Sequence, residues 1–203
     1  MKYSWLVILI LFVPFFVLTD CKTKKDKNKK SVATVPETVV SGNPVVNITI
    51  HQAALDGQIS QVKNLLTTGL DVNTVDEDGR TALMYAAFNG HAEIITLLID
   101  KGALINACDS EGRTALMMAS SGPYPSAVKI LLDHQADPNL TDKEEHFTAL
   151  MYAAAEGQLD VVKILLANRA DPAMKDIDGD DALTFARNNG HTAIAAILTS
   201  VKK

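Results

Sequence analysis

The chain is short of the residues that usually build a chemical site. Of its 203 residues two are cysteine, one is tryptophan and five are histidine, and aromatic side chains make up 5%. Two cysteines allow one disulfide at most, so a disulfide framework is excluded. His51, His91, His134, His146 and His191 stand in separate stretches, without a second His or a Cys at zinc-ligand spacing. There is no Gly-rich phosphate loop and no Gly-x-Ser-x-Gly element. Asp176–Asp181 alternates carboxylates around Gly179 but lacks the twelve-residue frame and closing Glu of a calcium loop. No catalytic residue, cofactor or metal is expected.

Basic charge is also scarce beyond the first 30 residues. Residues 31–203 hold 12 basic and 22 acidic side chains, a net of −10. Binding to a phosphate backbone depends on Lys and Arg that displace counterions, so nucleic acid is excluded as the expected partner. A long hydrophobic run is missing too. The apolar stretch Trp5–Leu18 holds fourteen uncharged residues, against about 20 for a membrane-spanning helix.

What the chain does contain is a repeat. Gly79–Leu98 reads GRTALMYAAFNGHAEIITLL, and Gly112–Leu131 reads GRTALMMASSGPYPSAVKIL thirty-three residues later. The pattern returns from Thr148 as TALMYAAAEGQLDVVKIL and from Asp181 as DALTFARNNGHTAIAAIL. A weaker copy, ITIHQAALDGQISQVKNLL, precedes them at Ile48–Leu66. A period near 33 residues marks a stacked array in which no unit buries its apolar stripe alone.

Asp-x-x-Gly-x-Thr-x-Leu, Ala-Ala, Gly-His and Ile-x-Leu-Leu, set out in Asp76–Asn106, resemble the ankyrin repeat almost position for position. The resemblance spans residues 46–201. It implies an all-α solenoid of five helix-turn-helix units with short hairpin fingers, at about 46–75, 76–108, 109–141, 142–175 and 176–203. Within a unit, Thr81 is placed to cap a helix carrying Leu83, Ala86 and Ala87, and Gly90 to end it. Ile94, Ile95, Leu97 and Leu98 form the stripe of a second helix. Polar Gln61 and Asn64 on one end, and Thr199 to Lys203 on the other, suit solvent-facing caps. Three copies have Ala-Leu-Met where Pro-Leu-His is usual, repeat three has Gly122–Pro125 in place of Gly-His, and Thr141–Phe147 carries one inserted residue. His51, His91 and His191 fall where the repeat's histidines bond between units.

The N-terminus resembles a bacterial lipoprotein signal, with residues 1–20 as signal peptide and Leu18–Cys21 as the lipobox. That resemblance implies cleavage before Cys21, lipidation of its thiol, and anchorage in a membrane of the cell envelope, on the periplasmic side or at the surface. Acylation there would leave the fold without an internal disulfide. Asp20 stands where a small residue is usual, and six lysines between Lys22 and Lys30 favour the cytoplasmic side. An uncleaved anchor on the cytoplasmic face is therefore the alternative. Residues 21–45 read as a flexible Lys-rich tether.

Ankyrin proteins generally bind other proteins through finger tips and first helices on the concave side. Transferred by position, that surface comprises Glu77, Asp78, Arg80, Phe88 and Asn89, then Ser110, Glu111, Arg113 and Ser121. Lys143, Glu145 and Phe147 follow on the longer finger, with Glu156, Ile177, Asp180, Asn188 and Asn189 beyond. Phe88, Phe147 and Ile177 would be its exposed apolar anchors, and its acids favour a basic partner. The expectation is a monomeric, non-enzymatic, membrane-tethered module that binds another protein. An inhibitor or protective accessory subunit of an envelope enzyme, such as a detoxifying one, is the alternative.

Overall fold

A computed structural model describes residues 48–201. The stretches read as signal peptide (1–20) and tether (21–45), with Cys21, and Lys202–Lys203 lie outside the described residues. Among the described residues ten helices follow one another, two per unit. The first helices are α1 (Ile50–Leu55), α3 (Ala82–Phe88), α5 (Ala115–Ser121), α7 (Ala149–Ala155) and α9 (Ala182–Asn188). The second helices are α2 (Ile59–Thr67), α4 (Ala92–Asp100), α6 (Pro125–Asp133), α8 (Leu159–Ala167) and α10 (Thr192–Val201). Three residues separate the helices of each pair, so each pair folds back on itself. From unit to unit, first helices stack mainly on first helices and second on second, giving two layers.

Small residues decide the spacing of the first layer. Ala53, Ala54, Ala86, Ala87, Ala119, Ala153, Ala154 and Ala186 are all wholly buried. With only a methyl group each, they let neighbouring helices approach closely. The second layer supplies bulk: Ile94, Ile95 and Leu98, then Val128 and Leu131, then Val161, Val162 and Leu165, all buried. Each such side chain contributes about 1.5–3 kcal/mol on leaving water. Leu97 is half-buried at the edge of that stripe, and Gln61 and Asn64 are exposed on the outer helix α2.

The first helices start alike. Thr81, Thr114 and Thr148 accept a hydrogen bond on Oγ1 from the backbone N–H three residues on, of Met84, Met117 and Met151. The methionine Sδ accepts in return from the threonine N–H, at 3.4 Å in each unit. Ala-Leu-Met thus keeps a reciprocal cap where the repeat more often has Pro-Leu-His. Asp181 caps α9 by accepting from Thr184 N–H at 2.9 Å.

Between the pairs, hairpin fingers project. Asp76, Asp109 and Asp176 each bond through N–H to the carbonyl four residues on. The longer finger closes from Asp142 N–H to Phe147 O, and His146 takes a positive φ of 59° to absorb the extra residue. Successive fingers are themselves joined. Ser110 N–H donates to Asp78 O at 2.9 Å, Lys143 N–H to Glu111 O at 2.9 Å, and Ile177 N–H to Glu145 O at 3.1 Å. The fingers therefore form one continuous ridge.

Unit contacts at the other end of the first helices are uneven. His91 Nε2 and Asn89 Nδ2 both meet the Leu55 carbonyl, at 2.9 and 2.8 Å. His191 and Asn189 repeat this on Ala155 O at 3.0 and 2.8 Å. His51 meets Thr74 O at 2.9 Å. His91 and His191 thus bond between units as read for them, whereas His51 is corrected: its partner Thr74 lies in its own unit. In unit three Tyr124 stands at the His91 position as N-cap residue of α6, and its ring lies over Gly90 as His91 lies over Gly57. The Gly122–Pro125 stretch thus keeps the register of the repeat.

Candidate functional site

The first helices and the bases of the fingers enclose a groove of about 390 Å³ on one face of the stack. Leu55, Phe88 and Ser121 contribute from the ends of α1, α3 and α5, with Met117, Met118, Tyr85 and Tyr152 along the floor and Arg80 and Arg113 at the finger side. Phe88 is 53% exposed, a large apolar side chain left in water. A second, smaller hollow of about 110 Å³ lies under the longer finger, among Glu111, Arg113, Asp142, Glu144, Glu145, Phe147 and Tyr152.

Four of the residues singled out from sequence, Arg80, Phe88, Arg113 and Ser121, therefore meet in one groove. Glu111, Glu145 and Phe147 meet in the smaller hollow beside it. Glu77, Asp78, Ser110 and Lys143 are exposed on the finger tips, Glu156 at the end of α7, and Asn188 at the end of α9. Ile177 is 54% exposed, as an apolar anchor would need to be, and Asp180 is half-buried. Asn89 and Asn189 already spend their amides on Leu55 and Ala155, which gives them a role within the stack.

One expectation is corrected. Phe147 is not an exposed anchor: it is half-buried and packs edge-on against Tyr152 and Phe185, at ring-centroid distances of 5.6 and 4.9 Å. The inserted residue turns the finger at His146, and Lys143, Glu144, Glu145 and His146 face solvent instead.

Sequence reading passed over the groove floor. Tyr85, Met118, Tyr152 and Phe185 occupy the same place in four consecutive units, a stripe of large side chains at the repeat period. The signal was that recurrence, directly after Ala-Leu-Met in three copies. Tyr85 donates to Asp76 Oδ2 at 2.7 Å, and Tyr152 to Asp142 Oδ2 at 2.8 Å.

These bonds set the electrostatics. The hydrogen bond to Asp76 and partial burial raise the Tyr85 hydroxyl above the ordinary phenol value. Burial first, and the bond to Asp142 second, push Tyr152 further in the same direction. For Asp76 burial acts to raise the value. The Tyr85 hydroxyl and the Arg80 and Asp78 N–H groups outweigh it and hold the carboxyl below the usual range.

In unit three, where Met118 has no hydroxyl, Asp109 is held by arginine. The wholly buried Asp109 carboxylate accepts from Arg113 Nε at 3.0 Å and Nη2 at 2.9 Å, and from the Glu111 and Arg113 N–H groups. Arg80 Nε comes within 3.6 Å of the same Oδ2, while its Nη1 reaches Asp78 at 3.2 Å. Arg113 Nη1 meets Glu111 at 2.7 Å. The two arginines are thus fixed by paired carboxylates, and the face they present is planar and donor-rich.

Among the described residues, no group of three or more His, Cys, Asp or Glu is placed to hold a metal ion. The carboxylates of Asp176–Asp181 serve the finger, with Asp176 Oδ1 accepting from the Asp178 and Asp180 N–H groups. Among the described residues no helix is long and apolar enough to cross a membrane.

A family model for ankyrin repeats in three copies matches residues 50–142 and 120–203. Among curated proteins, none matches this chain. The doubly layered helix pairs, the joined fingers and the matched residues agree, and the chain belongs to the ankyrin-repeat family.

Proposed function

We propose that this chain captures another protein on its concave face, with an extended or helical segment of that partner seated across α1, α3, α5 and α7. Ankyrin repeats are generally protein–protein interaction modules, and repeat families share a scaffold while differing in surface. The observation that supports this reading is the exposed Phe88 beside an apolar floor of Met117, Met118 and Leu55. Aromatic anchors over such a floor, next to arginines, are the composition of binding hot spots.

The face is placed at a membrane by the N-terminal lipid on Cys21, with residues 21–45 as tether. A Cys at the end of an apolar leader, followed by 24 residues of Lys-, Thr- and Ser-rich chain, supports anchorage in the cell envelope. Intact mass of the protein extracted from native membranes tests this part. A chain starting at Cys21 with acyl mass is expected. A full-length unmodified chain overturns it and moves the repeats to the cytoplasmic face.

The binding face is tested by replacing Phe88 and Arg80 together. Loss of partner capture with an unchanged circular dichroism spectrum is expected. Capture that persists shows that a different face is used.

A further inference from the structure

The polar groups that line the groove have already spent their donors. Tyr85 and Tyr152 give their hydroxyl hydrogens to Asp76 and Asp142, and Ser121 gives its own to the Met118 carbonyl at 2.8 Å. The two arginines are committed as well. All three side-chain nitrogens of Arg113 meet a carboxylate, Nε and Nη2 on Asp109 and Nη1 on Glu111. Those of Arg80 face Asp78, Asp109 and Glu111 at 3.2, 3.6 and 3.8 Å. With their edges turned to the fingers, the guanidiniums show the groove their flat faces and aliphatic stems.

That arrangement selects against charge. A partner carboxylate would find no free donor edge, and Asp78, Asp109 and Glu111 stand around the arginines to repel it. A partner ammonium would meet two guanidiniums, since among the described residues no carboxylate lines this groove. A neutral polar group would give up water for no new donor.

What the lining offers is surface for a flat apolar group. Leu55, Phe88 and Ser121 occupy one place in successive first helices, so that row steps from bulky to small at unit three. The hollow there has Met118 on its floor and Phe88 and Tyr152 at its sides. Methionine sulfur makes favourable contacts with aromatic rings, guanidinium faces stack on them, and Phe88 and Tyr152 add edges and faces of their own. At about 390 Å³ the groove has room for a phenyl ring and the backbone that carries it.

We propose that the group seated at unit three is an uncharged aromatic side chain of the partner, a phenylalanine-type ring lying on Met118 and Ser121 between Phe88 and the faces of Arg80 and Arg113. The proposal rests on the reading of the groove as a binding face and names the chemistry that this face selects.

The probe is N-acetyl-phenylalanine amide, titrated by NMR into the full chain in zwitterionic detergent with isotope-labelled methionine methyl groups. The Met118 methyl resonance is expected to move, while that of Met174, outside the groove, stays. N-acetyl-leucine amide, apolar but without a ring, is expected to bind roughly fivefold more weakly, the worth of one aromatic contact. The lysine and glutamate amides should bind more weakly still. Ser121→Leu fills the hollow and should weaken the phenylalanine amide to a similar degree. If that variant fails to fold, the comparison among the four amides on the unaltered chain decides. Equal binding of the leucine amide, tighter binding of a charged amide, no binding of the phenylalanine amide, equal shifts at Met174, or indifference to Ser121→Leu each overturns the proposal. No partner is used, so such a result removes the aromatic preference alone and leaves capture to the paired replacement of Phe88 and Arg80.

Discussion

Arg113 occupies, on Asp109, the position that a tyrosine hydroxyl occupies on the corresponding aspartate of the flanking units. In units two and four the finger Asp receives a phenol, Tyr85 on Asp76 and Tyr152 on Asp142. In unit three the tyrosine is Met118, and the guanidinium of Arg113 closes on Asp109 instead. One carboxylate position is satisfied in two ways, and the second brings charge to the groove edge.

The tyrosine bonds are of unequal worth. Asp142 is buried and Asp76 is only half-buried, so an orphaned carboxylate costs more in unit four. Tyr152→Phe is expected to lower stability by about 1.5–3 kcal/mol and Tyr85→Phe by about half as much, measured by urea unfolding. Equal losses would contradict this ranking.

The same bonds set a pH window. Tyr85 and Tyr152 have raised folded values, so their contribution is complete below about pH 10, the unfolded value, and is lost as pH rises through the folded ones. Asp76 has a lowered folded value. Its contribution is fully present above about pH 4, the unfolded value, and is lost as pH falls from there through the lower folded one. Unfolding followed from pH 3 to 11 is expected to show a plateau with losses at both ends. Tyr152→Phe should flatten the alkaline loss and leave the acid one.

Ser120 is a position where the sequence can be improved. It is wholly buried, its hydroxyl has no hydrogen-bond partner, and the matching residues of units one, two and four are Ala54, Ala87 and Ala154. Ser120→Ala removes a buried polar group and suits the helix better, so it is expected to stabilise the domain by about 1–2 kcal/mol. A destabilised variant would mean that the hydroxyl has a partner in solution.

Two glycines separate backbone strain from close approach. Gly102 and Gly112 have φ of 88° and 85°. A Cβ at Gly102 meets nothing within 4 Å, whereas one at Gly112 would lie 2.8 Å from Lys143 N in the next finger. Gly102→Ala is expected to cost about 1 kcal/mol, from the left-handed conformation alone. Gly112→Ala should cost at least twice that by thermal unfolding, because the finger-to-finger bond must shift.

The architecture was legible because a repeat states it five times over. Thr81, Leu83, Ala86, Gly90 and Ile94 recur at fixed offsets, and each offset fixes a cap, a contact or a turn. Phe147 was misjudged for the reverse reason. It lies in the single inserted stretch, where the period gives no register, and only the positive φ at His146 shows which way the finger turns. The tyrosine–aspartate bonds were hidden because they link positions nine and ten residues apart, through the finger rather than along a helix. Ser120 was readable as a departure from Ala-Ala, but its unmet hydroxyl needed the packing of neighbouring units.

The central claim is that the face around Phe88 holds a partner protein. A photo-crosslinking amino acid placed at Phe88, and separately at Leu104, tests it in native membranes. Leu104 is 62% exposed and apolar but lies on the turn after α4, outside the groove. A discrete adduct from Phe88 with none from Leu104 is the expected result. Equal labelling from both positions, or an adduct from Leu104 alone, would contradict the account.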